Sequence, residues 1–315
     1  MVRESAQVKP GPDSITKRLC VVADDYGLHQ SVDSAILRLI ELGRLQATSC
    51  LVGGTNWRSS SRSLSALPAG SADLGLHLDF TEKPLYLPRS GLAGFIGKAY
   101  LRLHKTQALL REIRAQLDEF ESHLGRAPDY VDGHQHVHQL PQVRDVLLDE
   151  LDARYGAAHR PWLRSTICAP AMNADPVLPA AERRKARIIE ALGAQALGSS
   201  ASRRRYRMNR GFLGVYGFDR NASDYSSLVR AWLAQAQDGS LMMCHPALAP
   251  VPDDPISAAR MIEFSVLQSD DFAAWTADAG IDLMPMSAII DRHRSPDAHH
   301  ADGGRPAPDS RQTRE

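Results

Sequence analysis

The chain has 315 residues, 43% hydrophobic and 23% charged, with 37 basic against 37 acidic side chains. That composition excludes a wholly disordered or fibrous chain, and zero net charge argues against nucleic acid or another polyanion gripped by the whole surface. No run of about 18 apolar residues occurs, so no membrane span is expected.

The opening MVRESAQVKPGPDSITKR lacks the apolar segment of a secretory signal, so a cytoplasmic location is expected. The four cysteines, Cys20, Cys50, Cys168 and Cys244, form no CxxC pair. They read as buried free thiols rather than a disulfide framework or zinc knuckle. The length fits two domains or one α/β barrel of about 250 residues. Residues 1–17 and 293–315 are polar and nearly free of apolar side chains, and are expected to be disordered tails. The folded unit is then 18–292.

LCVVA (19–23) reads as a buried strand ending in Asp24-Asp25. Val32, Ala35, Ile36, Leu39 and Ile40 follow at helical spacing, with Gly43 as the stop. Strands are expected at 47–54 and 73–80. A helical insertion spans about 86–105. The clearest helix is 106–124: Leu109, Ile113, Leu117, Phe120 and Leu124 form one stripe, closed by Gly125. Then come a strand at 129–134, a helix at 143–156, a strand at 161–168 and a helix at 180–192. AQALGS (194–199) reads as a short strand and 199–222 as a loop. Further on stand a helix at 223–237, a strand at 240–245, a helix near 269–279 and a strand at 281–286. Seven or eight alternations imply parallel strands with crossover helices. The expectation is an α/β protein, a distorted or incomplete (β/α) TIM-like barrel forming a single domain.

In such barrels the strand C-termini build the active-site face. Four strands end in residues able to bind metal or move protons: Asp24-Asp25, His77, the tract Asp132-Gly133-His134 with His136 and His138, and His245. Each has a plainer reading. Paired acids cap helices, a lone histidine is commonly a satisfied core residue, and a His-x-His-x-His tract can be a solvated turn. Four such endings converging on one face point instead to a metal centre. Imidazoles and a carboxylate suit Zn²⁺, and Mg²⁺, Mn²⁺, Co²⁺ or Fe²⁺ are compatible. Three protein ligands leave room for water, the mark of a catalytic site, where the pKa of water falls from ~15.7 towards ~7. Consecutive strand-end side chains point to opposite sides, so one aspartate is expected on the metal and the other towards the water.

Four segments, VADDYGL (22–28), GLHLDFT (75–81), VDGHQHVH (131–138) and MCHPA (243–247), occur in the order of the signature segments of the YdjC-like carbohydrate deacetylases, which the chain resembles over most of 18–290. The resemblance implies a distorted barrel and metal-dependent hydrolysis of N-acetyl groups on an amino-sugar substrate, small or oligosaccharide. It also implies the site: Asp25, His77 and His134 on one divalent ion (Mg or Zn, with Mn, Co or Fe compatible), Asp24 as general base and His245 as general acid. His136 and His138 are expected to support the ligands or contact substrate, Asp132 to orient a histidine, and Arg164 to face the pocket. Gly133 and Gln135 depart from the chitobiose-active members, which carry Ser and His there. The arginine-rich stretch SRRRYRMNRG (202–211) lies outside the family pattern and reads either as an anion grip or as a solvated loop. Phe212, Tyr216 and Phe218 read as a sugar-stacking surface or as core.

Two rivals remain at this level. An amidohydrolase or metal phosphoesterase usually carries a His-x-His pair at the end of strand one, where Asp-Asp stands here. A non-catalytic sugar- or metal-binding barrel would need neither Asp24 nor His245. An oligomer is compatible with the sequence, but no stretch reads as an interface.

Overall fold

The computed structural model describes residues 16–157, 159–169 and 178–292. The tails expected to be disordered lie outside the described residues, except that Lys17 already pairs with Ile281. Among the described residues, eight strands alternate with helices: β1 (Lys17–Tyr26), α1 (Gln30–Glu41), β2 (Ala47–Cys50), α2 (Trp57–Ser65), β3 (Asp73–Leu78), α3 (Leu92–Tyr100), α4 (Thr106–Leu124) and β4 (Tyr130–Gly133). A 3₁₀ segment (His134–Gln139) precedes α5 (Val143–Arg154), β5 (Trp162–Leu163), α6 (Ala180–Ala191), α7 (Ala194–Arg203), β6 (Gly211–Leu213) and α8 (Ala222–Gln235). The chain continues with β7 (Ser240–Cys244), α9 (Ser257–Leu267), α10 (Asp270–Asp278), β8 (Ile281–Leu283) and α11 (Met286–Arg292).

All named ladders are parallel, in the order β5-β4-β3-β2-β1-β7-β6, with β8 added on β1. Among the described residues, β5 and β6 form no ladder; the seam carries the isolated bridges Leu163↔Met208 and Cys168↔Phe212. The sheet is thus a curled, incomplete TIM-like barrel.

β1 is the axis. Leu19 to Ala23 are all fully buried, covered on both faces as a parallel strand requires. α1 buries Val32, Ala35, Ile36, Leu39 and Ile40, and α4 buries Leu109, Ile113, Leu117 and Phe120. Gly125 ends α4 at φ 67°, the left-handed conformation that glycine adopts without penalty. Buried polar residues on the same face of α4 brace the loop after β3. Gln116 exchanges hydrogen bonds with the Asp79 backbone (3.0 and 2.6 Å), and Glu112 accepts the N–H groups of Leu85, Tyr86 and Leu87 at 2.7–2.8 Å.

Several sequence expectations change. Residues 194–199 begin helix α7, because Ala194, Leu197 and Ala201 bury at i, i+3 and i+7; a six-residue window is too short to separate that spacing from a strand. The expected 199–222 loop contains the rest of α7 and the short strand β6. Helices α2 and α9 have no counterpart among the expected elements. Among the described residues, the strand expected at 161–168 forms a ladder at Trp162–Leu163 alone, with Cys168 adding a single bridge to Phe212. In the arginine-rich stretch, Arg204 pairs with Asp149 and Asp152 (2.7 and 2.8 Å) and Arg207 with Asp291 (2.6 Å). These two guanidinium groups tie α7 and its exit to neighbouring helices, so they are engaged inside the fold rather than free to grip an anion. The four cysteines are buried free thiols. No helix among the described residues is long and apolar enough to cross a membrane.

Candidate active site

The ends of β1, β3, β4, β5 and β7 converge on one buried cluster. The turn after β1 breaks strand geometry. The β1–β2 register shifts between Ala23 and Tyr26, and Asp25 takes φ 72°. This bulge interrupts the strand's alternation, and Asp24 and Asp25 each belong to a set of potential ligand atoms that includes His77. Left-handed backbone is least costly for Asp and Asn among residues with a Cβ. The turn is held by Asp33 on α1, which accepts the Gly27 N–H at 2.6 Å and the Asn56 side-chain amide at 2.5 Å. Gly27 itself has φ 97°, and a Cβ there would lie 2.9 Å from Leu51 O.

Asp25 Oδ1 lies 3.5 Å from His77 Nε2 and 3.3 Å from His134 Nδ1. Two donors bound at about 2.1 Å in a tetrahedral shell stand about 3.4 Å apart, so these atoms are spaced as ligands of one ion. Asp25 Oδ1 is buried with no hydrogen-bond partner among the described residues, while Oδ2 accepts from Arg260 Nη2 at 2.7 Å. An orphaned carboxylate oxygen in the interior is expensive, and a cation is the group that fits it.

Each ring is oriented from behind. His77 Nδ1 meets Asp132 Oδ1 at 2.7 Å; Asp132 Oδ2 also takes Ser49 Oγ (2.7 Å) and Arg164 Nη2 (2.6 Å). A carboxylate behind a metal-facing histidine fixes its tautomer and raises its basicity. Burial acts to lower the His77 pKa, but the Asp132, Asp24 and Asp25 charges outweigh it and leave it raised. Arg164, with no exposed surface, grips Asp24 with both Nη atoms at 2.8 and 2.6 Å. Burial alone would raise the Asp24 carboxyl; the Arg164, His77 and His245 charges hold it well below the usual carboxylate range. It is therefore ionised at every working pH.

His245 ends β7 with Nε2 3.8 Å from Asp24 Oδ2. Its backbone N–H donates to buried Glu263, which also accepts Tyr216 Oη at 2.6 Å. Burial pushes the His245 imidazole down to about 4. The side chains of His134 and His245 are 16% and 13% exposed, against 1–3% for Asp24, Asp25 and His77. The cluster therefore opens to solvent between those two rings. Two surface clefts, about 640 Å³ beside Tyr100, Arg144 and Glu190 and about 670 Å³ beside Tyr86, Arg111 and Glu119, contain none of these residues.

The other two histidines of the tract, His136 and His138, face inward. His138 is fully buried and bonds Arg164 O at 3.0 Å through Nε2. His136, at φ 60°, turns its ring edge-on to Phe212 at 5.5 Å, with Nδ1 unpartnered. Gly133 has a packing reason: a Cβ would sit 2.8 Å from His138 N. Phe212 and Tyr216 are core, whereas Phe218 is half-buried, edge-on to His245 at 5.2 Å.

Sequence reasoning missed Arg260, Glu263, Ser49 and Glu82. For Arg260 and Glu263 a signal existed: charges three apart on the buried stripe of α9 with Phe264 and Leu267. The others lie in stretches where nothing in the local pattern marks a polar partner.

Comparison with known proteins gives a consistent picture. A mouse carbohydrate deacetylase is 31% identical over 84% of this chain and 93% of its own length. A chitooligosaccharide deacetylase of Salmonella newport is 25% identical over 83% of this chain and 95% of its own. A crystal structure of an Enterococcus faecalis protein named for cellobiose-phosphate cleavage superposes with a TM-score of 0.60 at 20% identity, covering 87% of this chain and 99% of that one, a likeness of fold. The family described as YdjC-like protein matches residues 18–278, and the chain belongs to it.

Proposed function

We propose that this protein is a metal-dependent carbohydrate deacetylase that hydrolyses N-acetyl groups on an amino-sugar-containing substrate, releasing acetate. The observation that carries the reading is the orphaned Asp25 Oδ1 spaced at ligand distance from His77 and His134, beside an ionised Asp24 and a histidine at the open rim. The family's curated relatives named carbohydrate and chitooligosaccharide deacetylases support the substrate class.

Asp25, His77 and His134 would hold the divalent cation, with Asp132 behind His77 and Arg260 on the far oxygen of Asp25. When bound, the cation supplies Lewis acidity, polarising the acetamide carbonyl and lowering the pKa of water. Asp24, fixed by the Arg164 fork, takes a proton from the attacking water. His245 delivers a proton to the nitrogen as the C–N bond breaks. With its pKa near 4, His245 is unprotonated at neutral pH. The proton it delivers is therefore the one Asp24 took from water, relayed through the reacting groups between them, because 3.8 Å is too long for direct transfer between the two side chains. The balance is one water consumed, one acetate and one amine formed. Phe218, edge-on to His245, is the side chain we assign to contact with the sugar.

The test is acetate release from N,N′-diacetylchitobiose, an acidic N-acetyl sugar and a nucleotide N-acetyl sugar, with metal-stripped and metal-restored protein beside His77→Ala. Metal-dependent release abolished in His77→Ala is the expected result. Stoichiometric metal binding without release from any substrate would overturn the catalytic reading.

A further inference from the structure

Resting on the metal-dependent reading, we propose that Glu82 is a positioning residue for His134, playing the part that Asp132 plays for His77. His134 turns Nδ1 towards Asp25 and Nε2 outwards, where Glu82 Oε1 lies 3.4 Å away. That Nε2 is buried and has no other partner. Gln135 Nε2 donates to the same Glu82 oxygen at 2.9 Å, and Thr81 Oγ1 donates to Gln135 Oε1 at 3.1 Å. Residue 135, one of the two departures from the chitobiose-active pattern, is thus the residue that aims the carboxylate.

The turn bearing Glu82 is built to stay put. Buried Asp79 accepts from Thr81 N (2.7 Å), Thr81 Oγ1 (2.8 Å), Glu82 N (3.1 Å) and Lys83 N (2.5 Å). Behind it the chain packs so closely that a Cβ on Gly53 would sit 1.8 Å from Lys83 O. A side chain 47% exposed gains little stability from an ion pair with a histidine. So much restraint on a half-exposed glutamate makes sense if its position matters to the ring it faces. A carboxylate behind a metal-facing imidazole fixes the tautomer that leaves the other nitrogen free to bind, and raises its donor strength.

The experiment is a competition titration of Zn²⁺ or Co²⁺ against a chromophoric chelator, with wild type, Glu82→Gln, Glu82→Ala and His134→Ala, each checked by circular dichroism. Glu82→Ala should weaken metal affinity roughly 10–100-fold while the metal-free protein melts as wild type. Glu82→Gln should fall between, because its amide oxygen still accepts from His134 Nε2–H. Glu82→Ala binding within about twofold of wild type, with His134→Ala impaired, would overturn the inference and leave the metal reading standing. No binding by wild type would overturn the metal reading itself. A loss as large as that of His134→Ala, with a changed Co²⁺ absorption spectrum, would make Glu82 a direct ligand and refute the positioning role.

Discussion

Arg164→Met is the substitution whose cost follows most directly from the geometry. The guanidinium is fully buried and makes two contacts to Asp24 (2.8 and 2.6 Å), one to Asp132 (2.6 Å) and one to Ser49 Oγ (3.0 Å). Methionine fills similar space but leaves two buried carboxylates without their counter-charge. Removing one partner of a buried pair costs about 3–5 kcal/mol. For a chain of this size each kcal/mol lowers Tm by roughly 2–4 °C, so a fall of roughly 6–20 °C is expected. Thermal melts and urea unfolding followed by circular dichroism measure it. The double variant Asp24→Asn/Arg164→Met should lose less than the sum of the singles, with a coupling of at least about 1.5 kcal/mol, since a neutral amide at position 24 no longer needs the counter-charge. Additive losses within about 0.5 kcal/mol, or a Tm shift under about 2 °C, would refute the view that this guanidinium holds the cluster together.

Asp24→Asn should keep its metal, measured by elemental analysis, yet lose at least ~10²-fold in the rate of acetate release, the scale of a lost general base. Asp73, at the opposite end of β3, predicts a pH effect on stability. Burial and the Asp129 charge raise its pKa from 3.8 to about 6 in the folded protein. A carboxyl whose folded pKa exceeds its unfolded value favours folding below the unfolded value and loses that advantage as pH rises through the window from about 4 to about 6. The loss approaches about 3 kcal/mol, two units at about 1.36 kcal/mol each. Asp73→Asn should flatten the urea-midpoint profile across that window; an unchanged slope would show that Asp73 is not the titrating group.

Much of this protein is legible from local chemistry. The continuous apolar run at 19–23, the 3.6-residue stripes of α1 and α4 and the stop glycine after α4 are local signals that need no tertiary context. Asp24, Asp25, His77, His134 and His245 stand out because strand ends in a parallel barrel meet on one face, so a one-dimensional pattern carries three-dimensional meaning. Where elements are short the period is undersampled, as at 194–199, where six residues fit strand and helix alike.

Other features belong to the tertiary structure alone. The bulge that brings adjacent aspartates to one histidine goes with a shift in the β1–β2 register, which involves a strand more than 20 residues further along the chain. Arg164 gripping Asp24 joins positions 140 residues apart, and Arg260 on Asp25 joins positions 235 apart. Such partnerships are invisible locally, because a buried charge takes whichever counter-charge the packed fold delivers. The amino-acid sequence by itself marked the acids and histidines at the strand ends that the fold gathers into one cluster. Only the folded sheet decided which atom of each is free, which is neutralised, and which side of the cluster meets solvent, since those depend on burial and on partners far along the chain.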